Sequence, residues 1–148
     1  MPEDQTTGSS EETAWRAARA RQLTESLSAQ GIRAVALSQV DNAGVTRVKT
    51  VPVSFLERAV KYGVGMSPVF EVFMVNDSIT ASDEVGGPVG DLRLMPDPWA
   101  LRTLAAQPGW AWAPVDKHTQ EGEVSPGCQR SFAKRQAARA REKGGRED

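Results

Sequence analysis

Gly90-Asp91-Leu92-Arg93-Leu94-Met95-Pro96-Asp97-Pro98, followed by Gly109-Trp110-Ala111-Trp112-Ala113-Pro114-Val115-Asp116, is the part of the chain whose reading decides the fold. Each run alternates over a short span and is closed by turn formers, which is the pattern of a half-buried strand. Leu92 and Leu94 are expected to face a core while Asp91 and Arg93 face away. Trp110 and Trp112 share one strand face and Ala111 and Ala113 the other, with one indole ring expected in the core.

Upstream, Ser9-Ser10-Glu11-Glu12 matches a capping box before a run rich in Ala, Arg, Leu and Gln, in which Ala20, Leu23 and Leu27 lie along one helical face. Gly31 is placed to end that helix in the left-handed conformation. Residues 32–40 read as a strand, 41–44 as a turn with Gly44 at positive φ, and 45–53 as the returning strand with Pro52 at its end. Ser54 is the expected cap of a short helix carrying Phe55, Leu56, Ala59 and Val60. Between residues 63 and 90 the periodicity dissolves among glycines and prolines, and this stretch is expected as a long functional loop outside the sheet. A further short strand is expected near 101–105. A closing helix from Ser131 carries Phe132, Gln136 and Ala140 at four-residue spacing. These elements make an α+β domain with a mixed or antiparallel sheet of about five strands.

The whole sequence has 148 residues and a formal net charge of −1, enough for one domain and without a global field favouring nucleic acid or an anionic membrane. Charge is uneven: residues 65–98 hold six acids against Arg93 alone, whereas the closing segment is rich in Arg and Lys. The single cysteine, Cys128, excludes an internal disulfide and fits a reducing compartment. No stretch has signal-peptide or membrane character, so a cytoplasmic protein is expected. Residues 1–8 are expected to be a disordered tail, 9–128 the domain, and 129–148 the start of a helix leading onward.

Four pieces, in order, resemble the N-terminal domain of the glutamine synthetase family. Asp41, Gly44, Arg47, Lys49, Val51 and Pro52 keep the spacing of its early signature. Asp91-Leu92-x-Leu94-x-Pro96-Asp97 is followed at similar distances by Leu104, Pro108 and Asp116. Cys128-Gln129-Arg130-Ser131 is similar to the segment where a long helix leaves that domain. The remaining piece is the opening run itself, a strand ending in Pro96-Asp97, then a short strand, the Pro108-Gly109 turn and the aromatic-bearing strand of Trp110 and Trp112. Residues 63–69 stand where the family has an Asp-Gly-Ser-Ser loop and depart from it. The resemblance spans roughly residues 15–143 and implies a β-grasp-like fold. It further implies that this chain is the N-terminal portion of an ATP-dependent ligase acting in nitrogen metabolism. Such an enzyme phosphorylates glutamate and lets ammonia or another amine displace the phosphate. ATP and Mg or Mn are implied for the full-length enzyme and none for this chain, which is expected to be inactive alone. The implied partners are neighbouring subunits of a ring-like homo-oligomer, glutamate and an amine, with no nucleic acid and no membrane.

Ser67 stands where the family's loop has the aspartate that binds and deprotonates ammonium. A carboxylate stabilises a cation by charge and accepts its proton; a serine hydroxyl, neutral at pH 7, does neither well. The resemblance therefore implies the γ-glutamyl-amine or polyamine branch, with Ser67 as the substrate-binding candidate and no catalytic or metal-ligating residue in this chain. Other residues read more plainly: His118 as a solvated loop histidine, Cys128 as an inert thiol, the glycine clusters as turns. Arg47 and Lys49 share a strand face, either solvated or turned toward an anion or a neighbouring subunit. Two other functions stay open from sequence: a non-catalytic interaction module, and nucleic-acid binding through the basic closing helix.

Overall fold

The computed structural model describes residues 10–81, 83 and 86–144, so the expected tail over 1–8 and the Ser9 half of the capping box lie outside them. Helix α1, Ser10–Ala29, turns Ala20 and Leu27 into the core with Leu23 against it, and Gly31 follows at φ 73°. Strand β1, Ala34–Val40, returns as β2, Thr46–Pro52, through a turn in which Gly44 has φ 82°. Next come a 3₁₀ turn, Val53–Phe55, and helix α2, Leu56–Tyr62, whose Leu56, Ala59 and Val60 are buried. Ser54 does not cap it: Ser54 lies inside the 3₁₀ turn, and neither helical start has a side-chain cap. That turn also swings Phe55 off the apolar face of α2, leaving it exposed.

The stretch 63–90 departs from expectation at its start. Val64–Met66 forms strand β3, paired antiparallel with strand β4, Leu92–Pro96, and so belongs to the sheet. A single helical turn, α3, Val69–Val72, follows and buries Glu71 and Val72. Three residues are too few to show alternation, so β3 leaves no periodic trace. Its entry depends on Gly63, at φ 70°: a Cβ there would lie 2.7 Å from Met95 Sδ and 2.9 Å from Arg93 Cβ.

Two-residue β5, Arg102–Thr103, precedes β6, Trp110–His118, the spine of the sheet. The first half of β6 runs parallel to β1, from Ala34↔Trp110 to Ser38↔Pro114; its second half runs antiparallel to β4, from Pro96↔Val115 to Arg93↔His118. The strand order is β2-β1-β6-β4-β3, with β5 also on β6, giving six strands in a mixed, curled sheet. Helices α1 and α2 cover one face, and the core gathers Val35, Leu37, Leu56, Leu94, Ala111, Ala113 and Val115.

Leu92 and Leu94 face that core as expected, but the tryptophans do not. Ala111 and Ala113 take the helix-covered face, and both indoles lie half-buried on the other, where Trp112 Nε1 donates to Ser38 Oγ at 2.8 Å. Small residues on the central strand leave room for the covering layer, and the outer face supplies the polar partner an indole N–H needs. Helix α4, Gln129–Gly144, closes the described chain; only Ser131 of it is buried, and Phe132 is exposed.

Candidate functional site: the loop after strand β3

Ser67 sits at the exposed corner where β3 ends. Its Oγ accepts from the Val69 amide at 3.2 Å and donates to the Pro88 carbonyl at 3.3 Å. The hydroxyl thus ties both ends of the loop together at a point open to solvent. Pro68 fixes the next backbone angle and starts α3.

A buried ionic network holds α3 from below. Lys117 Nζ lies 2.9 Å from Glu71 Oε1, and both side chains are only 2% exposed. The Ser125 hydroxyl donates to the same carboxylate, 3.1 and 2.9 Å from its two oxygens. Gly127 passes so close that a Cβ would meet the Glu71 carboxyl carbon at 2.8 Å. Lys117 also donates to Gln129 Oε1 at 2.9 Å, Gln129 donates to Asn42 Oδ1, and Asn42 donates to the Glu71 backbone carbonyl. A charge pair taken out of water holds together only when further hydrogen bonds support it, and here Gln129 supports the ammonium and Ser125 the carboxylate.

A second clamp comes from β2. Arg47 stacks 5.2 Å from the Phe70 ring centroid and 5.8 Å from that of Phe73, while its Nε donates to buried Asp41 at 2.8 Å. Burial alone would raise the Asp41 carboxyl, but the Val45 amide and Arg47 outweigh it and hold it below the usual aspartate range. Lys49 donates to the Gly65 carbonyl. Of the two strand cations, Arg47 is turned onto the loop of its own chain, while Lys49 is exposed, as a solvated face requires, and reaches the same loop.

A third cluster seats α4. Arg130 Nη1 lies 2.9 Å from both Asp116 oxygens, its Nη2 reaches Asp97, and Lys134 Nζ lies 2.7 Å from Asp116 Oδ2. Asp97 also accepts from the Trp99 and Ala100 amides at 3.0 and 3.2 Å. Burial would raise its carboxyl; Arg130 and those amides carry it below its ordinary value instead. The separated sequence pieces thus meet as supports: Asp41 and Arg47 under the loop, Asp97, Asp116 and Arg130 under the helix.

The family model described as the glutamine synthetase N-terminal domain matches residues 18–124. The chain belongs to that family. A γ-glutamylpolyamine synthetase, GlnA3, of Streptomyces coelicolor is 54% identical over 127 residues, covering 86% of this chain and 27% of that protein. The chain thus spans about a quarter of the length of that curated relative. Among solved structures, a GmaS–ADP complex superposes with a TM-score of 0.65 at 27% identity, covering 82% of this chain and 26% of that one. A glutamine synthase homologue gives 0.62 at 29% identity, covering 76% and 27%.

The remaining sequence candidates have plain structural settings. His118 ends β6 and its Nδ1 lies 2.9 Å from the Gly122 carbonyl. Cys128 is buried, and its Sγ accepts from the Lys117 amide at 3.2 Å. Among the described residues no group of three or more His, Cys, Asp and Glu is placed to hold a metal ion. No described helix is long and apolar enough to cross a membrane.

Sequence reasoning missed Glu71, Lys117, Asn42, Ser125 and Gln129. One signal was available: Lys117 continues the phase of Ala111, Ala113 and Val115, so alternation puts its charge on the buried face and demands a partner. The partner, 46 positions earlier in an aperiodic stretch, leaves no such trace.

Proposed function

We propose that this chain is the N-terminal part of a γ-glutamyl-amine ligase that uses ATP to join a polyamine to the γ-carboxyl of glutamate, and that it supplies the acceptor-site loop while having no ligase activity by itself. The 54% identity to a γ-glutamylpolyamine synthetase is the observation that most supports this reading. The loop agrees with it chemically. A small neutral hydroxyl at position 67 leaves room for a substituted amine and offers a hydrogen bond, whereas a carboxylate there would favour the compact, fully charged ammonium ion. The internal clamps of Glu71 and Arg47 fit a loop held in a set shape for presentation to a site completed elsewhere.

The neighbours would be other subunits. The outer sheet face exposes Val40 and Val48 beside the half-buried Trp110 and Trp112, an apolar surface of the kind that associates. Nucleic-acid binding is less well supported, because Arg130 and Lys134 of α4 are already engaged by Asp97 and Asp116. The test is a chimera in which this chain replaces the matching first quarter of the S. coelicolor synthetase. With glutamate, ATP and magnesium it should form γ-glutamyl adducts of polyamines in preference to glutamine, while this chain alone should release no phosphate above background. A folded chimera that makes glutamine and no polyamine adduct would defeat the proposal.

A further inference from the structure

We propose that Gln129 is a positioning residue that couples the seating of α4 to the conformation of the Ser67 loop. The contacts define the route. Gln129 is the first residue of α4, and its one side-chain amide works in two directions. The oxygen accepts from Lys117, whose ammonium holds the Glu71 carboxylate; the nitrogen donates to Asn42, whose own amide holds the Glu71 backbone carbonyl. Both polar groups of Glu71 are thus reached from one residue at the root of the helix. Glu71 lies in α3, four residues beyond Ser67, and the Ser67 hydroxyl is bonded to the same turn through Val69.

The helix has few other holds on the domain. Among its described residues only Ser131 is buried, and its base is fixed by Arg130 and Lys134 to Asp97 and Asp116. A tilt or rotation at that base moves Gln129, and Gln129 cannot shift without stretching bonds on both sides of Glu71. Helix and loop are therefore two readouts of one polar cluster, and a load on α4 is transmitted to the corner that carries Ser67. The coupling rests on these contacts alone; its use in presenting Ser67 to an acceptor rests on the proposed function.

Native-state amide exchange on this chain tests the coupling independently of any acceptor. Gln129→Ala removes both network hydrogen bonds and should speed exchange of the amides over 64–73 by at least about three- to tenfold, the range for one of them, while the β1 and β6 amides keep their rates. Lys134→Ala, which loosens the helix without touching the loop, should also speed exchange over 64–73. In the Gln129→Ala background that second effect should vanish, because the link is already cut. Gln129→Glu keeps the acceptor for Lys117 and loses the donor to Asn42; it should give an intermediate rate, and it serves if the alanine variant folds poorly. Loop exchange unchanged in both Gln129 variants would overturn the coupling. So would a Lys134→Ala effect of equal size in both backgrounds, or acceleration spread evenly over β1 and β6.

Discussion

Removing the charge of Lys117 should be among the costliest single changes in this domain. Its Nζ has two partners, Glu71 Oε1 and Gln129 Oε1, each at 2.9 Å, and water reaches almost none of the pair. Lys117→Met keeps the apolar stem but leaves the Glu71 carboxylate buried with Ser125 as its main remaining partner. Breaking one side of a buried pair costs about 3–5 kcal/mol, a large share of the roughly 5–15 kcal/mol that holds a domain folded. Glu71→Leu, which leaves the ammonium buried with Gln129 as its remaining partner, should cost a similar amount. The double variant Lys117→Met with Glu71→Leu removes both charges and should recover most of the loss, ending within about 2 kcal/mol of the parent. Urea titrations followed by circular dichroism give the three values on one scale. Single variants costing under about 1 kcal/mol, or a double variant equal to their sum, would refute the idea that the pair is buried and mutually dependent.

Three further outcomes follow from other parts of the molecule. Gly63→Ala should destabilise the chain by at least about 1–2 kcal/mol from the left-handed backbone alone, with the contacts to Met95 and Arg93 adding to it; a midpoint shift within error would contradict this. Asp41 and Asp97 have folded carboxyls below the ordinary value of about 3.9, so their contribution is complete above that pH and disappears as pH falls through the folded values. Stability should accordingly hold from neutral pH to about 5 and decline below about 4; for Asp41→Asn, which removes one of the two, the acid-side decline should be shallower. Gln39 has a buried Oε1 without a hydrogen-bond partner in the described structure, so Gln39→Leu should be neutral or stabilising by about 1 kcal/mol in thermal melts, and a clear loss would mean the oxygen has a partner.

The fold was legible where periodicity and turn chemistry agreed. The α1 stripe of Ala20 and Leu27, the positive-φ glycines 31 and 44, and the Leu92–Leu94 alternation all stand where the sequence puts them. The main misses lie where tertiary contacts decide, because local pattern says which residues share a face but not which face is covered or which short segment is paired. Trp110 and Trp112 share a face, and so do Ala111 and Ala113; the packing of α1 and α2 decides that the alanines go inside. Strand β3 is held by pairing with β4 and by the close approach at Gly63, both long-range. Position 67 enters from the sequence only through the resemblance of residues 63–69 to the family's loop, and the structure adds its place at the exposed corner after β3. The supports on Glu71 are brought together from separate stretches of sequence and leave no local pattern.

The most direct measurement is the ratio of kcat/KM for a polyamine to that for ammonium in the chimera with the S. coelicolor synthetase, compared between Ser67 and Ser67→Asp. Restoring a carboxylate should improve ammonium use roughly ten- to a hundredfold, the worth of about 1.5–3 kcal/mol for a charge-assisted contact. The polyamine value should fall at the same time, reversing or sharply lowering the ratio. A ratio unchanged by Ser67→Asp in a folded, active chimera would show that this corner does not meet the acceptor, and would contradict the account.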